Sequence, residues 1–130
     1  MVGYAEGVKY MKCETSAMTS IEPRITLNPQ QHRVQVSIGG TVLADTTRAL
    51  ELRERGYPPR LYIPREDVRM ERLTRSETVT HCPFKGDAAY FSFGANADVA
   101  WSYERPLEGM ETIAEYLAFD DAKAVVTEGQ

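Results

Sequence analysis

The sequence predicts a mainly β protein: a single compact domain of antiparallel sheet with one or two short helices. Three observations support this prediction. Short runs of alternating apolar and polar residues recur along the chain, turn residues separate them, and long helices between strands are absent. The last observation excludes a doubly wound nucleotide-binding fold. The length of 130 residues suits one domain whose core needs neither disulfides nor metal.

The domain organisation follows from where the alternation begins. Residues 1–28 have no clear period and are interpreted as an N-terminal extension or arm, which leaves 29–130 as the β domain. A strand is predicted after His32 because apolar residues occupy every second position: Val34, Val36 and Ile38. Gly39-Gly40 can supply the two positive φ angles of a type I′ turn, so 41–44 should return antiparallel.

The middle of the chain contains one ambiguous element. Residues 48–55 are rich in helix formers, yet their leucines also fit a period of two, so strand and helix both remain open. A strand is predicted at 61–63 and a single turn at 65–68. We expect another strand at 69–73 and a polar connection at 74–78.

The C-terminal half repeats the pattern of strand and turn. Proline and glycine predict a turn at 81–87 between two strands. Beyond it we expect a strand at 89–93, a hairpin loop at 94–98, a strand at 99–103 and a last strand at 124–126. The spacing of Met110, Ile113 and Leu117 predicts a helix of about two turns.

The charges are unevenly distributed. The formal net charge is −4, which argues against a general nucleic-acid binder. Residues 48–75 carry eight arginines and five acids, whereas 76–130 carry three basic residues and ten acids. This arginine excess indicates either a solvated face paired with the acidic C-terminal third or an anion-binding rim. No apolar run suits a membrane span or a secretory signal, so we expect a cytoplasmic protein.

The cysteines and histidines do not form a metal-binding pattern. Cys13 and Cys82 are far apart in sequence, and neither belongs to a C-x-x-C pair. His32 and His81 are the other soft ligands, and the four residues are scattered over three segments. A structural zinc site needs four such ligands close together. The sequence therefore predicts no metal, and it indicates no cofactor.

Several motifs together resemble one family, domain-of-unknown-function family 427. They are Gly56-Tyr57-Pro58-Pro59, Leu61 to Val68, Thr80-His81-Cys82-Pro83-Phe84-Lys85-Gly86-Asp87 and Ala100-Trp101-Ser102-Tyr103. The resemblance runs from about Arg33 to Phe119, and the block around His81 to Gly86 is its most specific part. It implies a β-tent-like architecture, similar to methionine-R-sulfoxide reductase B and to the ligand-binding domain of cereblon, but without the zinc knuckles of those proteins.

The family is sometimes filed under a nucleotidyltransferase label, which the residues do not support. Metal-assisted nucleotidyl transfer needs two or three converging carboxylates and a phosphate cradle. No D-x-D motif lies on a strand, and the acidic pairs Glu66-Asp67 and Asp120-Asp121 are sequence neighbours that diverge on a strand. The resemblance supplies no established activity.

The turn at 81–87 contains the candidate reactive groups. Cys82 is a candidate nucleophile or redox thiol, since nearby cations such as Lys85 lower a thiol pKa. His81 is a poorly placed base for it, because the two side chains point to opposite faces of an extended strand. The alternative is a buried structural cysteine. Lys85 and Asp87 belong either to a ligand site or to a solvated turn.

The leading hypothesis is a small-molecule site for an anionic or aromatic metabolite. Its expected lining comes from the segment 57–69, the turn at 81–87 and the strand at 101–103. The predicted ligand-binding residues are Arg60, Tyr62, Arg65, Arg69, Lys85, Asp87, Trp101 and Tyr103. The aromatic residues among them could equally form core.

Two further hypotheses remain open. One is a Cys82-dependent enzyme, in which Cys13 would be a resolving partner if the N-terminal arm folds back. The other is a protein-interaction module, with a homodimer formed through the arm or an exposed sheet edge. Neither a nucleic acid nor a membrane is an expected partner.

Overall fold

A computed structural model describes residues 24–129. It contains ten strands and three short 3₁₀ turns, each turn three residues long. The strands are β1 (Ile25–Pro29), β2 (Arg33–Ile38), β3 (Thr41–Thr46), β4 (Leu50–Glu54), β5 (Arg60–Tyr62), β6 (Thr74–Cys82), β7 (Gly86–Phe93), β8 (Asn96–Ser102), β9 (Leu117–Phe119) and β10 (Val125–Gly129). All strand pairs are antiparallel. The predicted mainly β class is confirmed.

The strands form three sheets. Their strand orders are β1-β4-β5, β10-β2-β3 and β6-β7-β8-β9. Single bridges between Ile63 and Leu117 and between Ala44 and Val68 connect neighbouring elements. The helices are 3₁₀ turns at Arg65–Asp67, Met70–Arg72 and Glu111–Ile113. None of the helices in residues 24–129 is long and apolar enough to cross a membrane.

The β2–β3 hairpin matches its prediction. Side chains alternate along β2, so that Val34, Val36 and Ile38 are buried. Gly39 and Gly40 have φ angles of 57° and 85°, as a type I′ turn requires. This turn fixes the register that puts the valine face of β2 into the core.

The ambiguous segment 48–55 is a strand. Leu50 and Leu52 of β4 are buried, whereas Glu51 and Arg53 are more exposed, so the period of two describes this segment. Its partner β1 begins at Ile25. The last residues of the extension predicted at 1–28 therefore belong to a sheet, and 1–23 lie outside the described residues.

Three further expectations need correction. The strand predicted at 69–73 is the 3₁₀ turn at Met70–Arg72, and the expected polar connection at 74–78 is the first half of β6. The first half of β6 gave no strand signal because its residues are polar and mostly exposed, and its pairing with β7 is interrupted by a bulge between Arg75 and Val79. The predicted helix after Met110 is one 3₁₀ turn followed by β9, although Ile113 and Leu117 are both fully buried.

The four-stranded sheet has a hydrophobic cluster on each face. Phe91, Ala100 and Phe119 belong to the larger cluster, which joins this sheet to β2 and β3. Tyr103 and Ala118 belong to the second cluster, which also contains Leu50 and Leu52 of β4 and Tyr62 of β5. Because both faces of this sheet are packed, the face to which a polar side chain points determines which other side chains it can contact.

Candidate functional site

The β6–β7 hairpin ends in a turn that is held close to a second loop. Lys85 accepts a backbone hydrogen bond from Leu107 at 3.0 Å. Gly86 has a φ of +111°, and a Cβ there would lie 3.4 Å from backbone atoms of Arg105 and Leu107. Glycine is required at this position for both reasons, its conformation and the close approach of the other chain segment.

The register of this hairpin sorts its side chains onto two faces. Val79 lies opposite Ala89, and His81 lies opposite Asp87. These four residues share one face, which we call the open face. The residues between them point the other way, and Cys82, Tyr90 and Trp101 contact the second hydrophobic cluster. We call that side the closed face.

Aromatic side chains fill the closed face. The rings of Tyr62 and Tyr103 are 6.5 Å apart, and those of Tyr90 and Trp101 are 6.1 Å apart. The Trp101 Nε1 donates a hydrogen bond to the Tyr62 hydroxyl at 3.3 Å. Burial raises the pKa of Tyr62 to about 12, and it also raises the pKa of Tyr103.

A buried ion pair lies beside these rings. The Lys85 Nζ is 2.7 Å from the Glu54 Oε1, and the two side chains are only 8% and 10% exposed. The same Nζ is 5.7 Å from the centre of the Tyr103 ring. Lys85 is therefore neutralised inside the protein and ties the hairpin turn to the end of β4, where it cannot reach a ligand in solvent.

Cys82 also faces the closed side. Its thiol is half-buried, and it lies near enough to Tyr62 and Tyr103 to interact electrostatically with both. His81 points to the opposite face, as the sequence predicts for adjacent strand residues. The imidazole thus cannot act as a base for this thiol. Cys13 lies outside the described residues.

The open face ends in a cleft that we call the hairpin cleft. Its volume is about 350 Å³, and it lies between the β6–β7 hairpin and the loop at 104–107. The lining residues are Val79, His81, Gly86, Asp87, Ala88, Ala89, Glu104, Arg105 and Leu107. Val79 is 66% exposed and Leu107 is 41% exposed, so this cleft combines apolar surface with charge.

An arginine cluster surrounds one of the cleft's carboxylates. Arg75 donates two hydrogen bonds to Glu104, at 3.1 and 2.8 Å, and Arg65 donates a third at 2.9 Å. These bonds, chiefly those from Arg75, lower the pKa of Glu104. Arg65 also bonds the Ser102 hydroxyl and the Glu115 carbonyl. Two guanidinium groups therefore share a single carboxylate, which leaves an excess positive charge.

His81 and Asp87 form a second pair in the lining of the cleft. The His81 Nδ1 is 2.8 Å from the Asp87 Oδ1, and the side chains are 65% and 72% exposed. A carboxylate is only an acceptor. This hydrogen bond therefore orients the ring, and the other ring nitrogen, Nε2, takes no part in it.

The remaining predicted site residues lie elsewhere. Arg60 lies over the Trp101 ring at 5.0 Å and bonds the Phe119 carbonyl, in a cleft of about 460 Å³ that also contains Asp121 and Glu128. Arg69 is exposed, in a third cleft of about 390 Å³ lined by acidic side chains. The predicted single pocket is thus divided. Lys85, Tyr62, Trp101 and Tyr103 share the closed face, whereas Arg65, His81 and Asp87 share the open one.

Sequence reasoning missed several residues of both faces. Glu54 could have been found, because a period of two through Leu50 and Leu52 places it on the same buried side. Arg75, Glu104 and Arg105 gave no signal, since their meeting depends on the pairing of β6, β7 and β8. Within residues 24–129, no three His, Cys, Asp or Glu side chains gather as a metal site.

The chain forms a small antiparallel β domain, and at the end of one sheet face it has a cleft lined by Arg105 and by the Glu104 that Arg65 and Arg75 bond. The model of the family described as Domain of unknown function (DUF427) matches residues 26–129, and the chain belongs to this family. The predicted family is therefore confirmed. No curated protein matches the chain. The family description gives no activity, and the likeness to β-tent proteins stays a prediction.

Proposed function

We propose that this domain binds a small anionic metabolite in the hairpin cleft, and that an aromatic or other apolar group of the ligand covers the cleft floor. The observation that carries the proposal is the combination of exposed apolar surface with incompletely neutralised arginines. Small-molecule sites typically have volumes of about 300 to 1,000 Å³ and combine apolar walls with a few convergent polar groups. The cleft volume of about 350 Å³ falls within this range.

Charge favours this cleft over the other two. Arg105 is exposed and forms no ion pair with another residue in 24–129. Beside it, Arg65 and Arg75 share Glu104. By contrast, the cleft at Arg69 is lined by the carboxylates Asp45, Glu66, Asp67 and Glu71. The cleft at Arg60 has two carboxylates for its one arginine. The hairpin cleft is itself lined by Asp87, Glu104 and Arg105, and Arg65 and Arg75, bonded to Glu104, bring its count to three arginines for two carboxylates. Counted in the same way, the Arg69 cleft has three arginines for four carboxylates, so we expect an anion to meet the most favourable potential in the hairpin cleft.

The apolar part of the ligand has matching surface. Val79 projects from β6 and Leu107 from the facing loop, and both are more exposed than apolar residues elsewhere on this face. Ala89 lies opposite Val79 in the register and forms the floor between them. A flat ring of an aromatic carboxylate would remove these side chains from water, which favours binding by about 25 cal/mol per Å² of apolar area.

The test is a calorimetric titration with phenylacetate and with its uncharged analogue phenylacetamide. We expect phenylacetate to bind about tenfold more tightly, because hydrogen bonds to charged groups contribute about 1.5 to 3 kcal/mol. Arg105→Gln should remove this preference. Arg53→Gln is the matched control, since Arg53 is exposed on β4 and pairs with Glu51.

Three results would contradict the proposal. They are no binding of either probe, equal binding of the acid and the amide, and an equal loss of affinity in Arg53→Gln and Arg105→Gln. The last result would attribute binding to overall charge and not to the cleft.

A further inference from the structure

We infer that the ligand of the hairpin cleft carries a hydroxyl group next to its anionic group, and that His81 accepts the hydrogen bond from this hydroxyl. The inference rests on the proposed function and names its substrate class: hydroxylated organic anions, such as hydroxy acids. It follows from the way Asp87 determines which nitrogen of the neutral imidazole ring carries the proton.

The pair between His81 and Asp87 determines which ring nitrogen is an acceptor. The Asp87 carboxylate can only accept, so the Nδ1 that faces it at 2.8 Å carries the proton of a neutral imidazole. The other nitrogen, Nε2, then has a free lone pair. Because the His81 ring lines the cleft, this lone pair is available to an O–H donor bound there and does not attract a bare carboxylate.

The polar lining of the cleft is complementary to such a ligand. Arg105 in the lining and the Arg65–Arg75 cluster bonded to Glu104 favour the anionic group, whereas His81 in this tautomer favours an O–H donor. A simple carboxylate offers no donor to the Nε2 of His81, whereas a hydroxylated carboxylate would satisfy both the arginines and the imidazole.

The other histidine of the chain provides an internal comparison. His32 uses Nε2, at 2.7 Å from the Glu128 Oε1, so its neutral ring should carry the proton on Nε2. The sequence contains two histidines. Their imidazole ¹⁵N spectra should therefore report opposite tautomers, with the proton of His81 on Nδ1.

The binding test compares phenylacetate with mandelate, which differs by one α-hydroxyl group. Titrations are done at a pH where the ¹⁵N spectrum shows His81 to be neutral. We expect mandelate to bind about threefold to tenfold more tightly, the usual contribution of one hydrogen bond. In Asp87→Asn, the amide nitrogen can donate to Nδ1 and move the ring proton to Nε2. This variant also removes a negative charge from the cleft lining, so both anionic probes should bind more tightly, and the ratio of mandelate to phenylacetate affinity should fall to about one.

Glu128→Gln is the matched control, because it makes the same carboxylate-to-amide change beside His32. It should leave both affinities unchanged. Equal binding of the two probes to the wild-type protein, or an Nε2–H tautomer of His81, would overturn the inference while the proposed anion site stands. Binding of neither probe would instead contradict the proposed function itself.

Discussion

The two faces of the β6–β7 hairpin hold their charges in different ways. On the closed face, Lys85 and Glu54 are almost fully buried and pair at 2.7 Å beside the aromatic rings, and Arg24 lies 3.8 Å from the second Glu54 oxygen. On the open face, Arg65 and Arg75 share Glu104, and Arg105 is exposed. The comparison teaches that a cluster of arginine, lysine and aromatic residues in a sequence contains both structural and accessible charges. Only the accessible ones are available to a ligand.

The largest expected effect comes from breaking the buried pair. Lys85→Met leaves the buried Glu54 carboxylate with only the partly exposed Arg24 at 3.8 Å, which should lower the free energy of unfolding by about 3 kcal/mol. Arg33→Met is the control, because the Arg33–Asp45 pair has the same 2.7 Å separation but side chains 53% and 42% exposed. We expect a loss of less than about 1 kcal/mol there.

Urea denaturation measures both variants. The double variant Lys85→Met, Glu54→Leu should recover much of the lost stability, since it removes the unpaired charge. Equal losses of unfolding free energy in Lys85→Met and Arg33→Met would show that burial does not make the Lys85–Glu54 pair more important for stability than an exposed pair.

The second effect is a loss of stability in alkaline solution. Burial raises the pKa of Tyr62 to about 12, above the reference value of about 10 for an unfolded chain. The unfolded state therefore loses the proton first, and the stability that Tyr62 contributes is complete below pH 10 and decreases as the pH rises towards 12. The slope is about 1.4 kcal/mol per pH unit for one such group.

Tyr62→Phe tests this effect, because phenylalanine has no proton to lose. Unfolding free energies measured between pH 9 and 11 should decrease less steeply in this variant than in the wild-type protein. Tyr57→Phe is the control, since Tyr57 is 64% exposed. Identical pH profiles for the wild type and Tyr62→Phe would contradict the assignment.

The sequence predicted local structure better than the assembly of the site. The alternation of apolar and polar residues predicted β2, and Gly39 and Gly40 predicted the turn that follows it, because both signals depend only on neighbouring residues. The same alternation placed Trp101 and Tyr103 among the site residues, and these aromatic rings are packed in the second cluster. The sequence could not predict that Arg65 and Lys85 lie on opposite faces of the four-stranded sheet. Their positions depend on which face of that sheet the segment before each residue crosses.

The third effect concerns the balance of charge on the open face. Glu104→Gln removes the carboxylate that Arg65 and Arg75 share, so the arginines should attract an anionic ligand more strongly. We expect phenylacetate affinity to rise about fivefold, which corresponds to about 1 kcal/mol of removed Coulomb repulsion. Calorimetry measures it, with Glu51→Gln beside Arg53 as the control. An unchanged or lower affinity would mean that the arginine cluster does not contribute to the site.

The smallest effect tests the backbone that orients Arg65. Glu115 has a φ of +67°, a left-handed conformation that glycine adopts more readily, and its carbonyl accepts a bond from the Arg65 Nε at 3.0 Å. Glu115→Gly should stabilise the fold by up to about 1 kcal/mol. Thermal unfolding measures the change, and Glu111→Gly, at an ordinary φ, should not stabilise. A clear loss of stability in Glu115→Gly would contradict the role of backbone strain.

The central claim is that the open face of the β6–β7 hairpin binds the ligand and that the closed face has a structural role. An NMR titration of the wild-type protein with phenylacetate tests it most directly. We predict that the perturbed backbone amides belong to the hairpin cleft, at Val79, His81, Asp87, Arg105 and Leu107, while those of Tyr62 and Trp101 stay unchanged. Perturbations centred on Tyr62 and Trp101, or on the Arg60 cleft, would contradict the proposed location of the site.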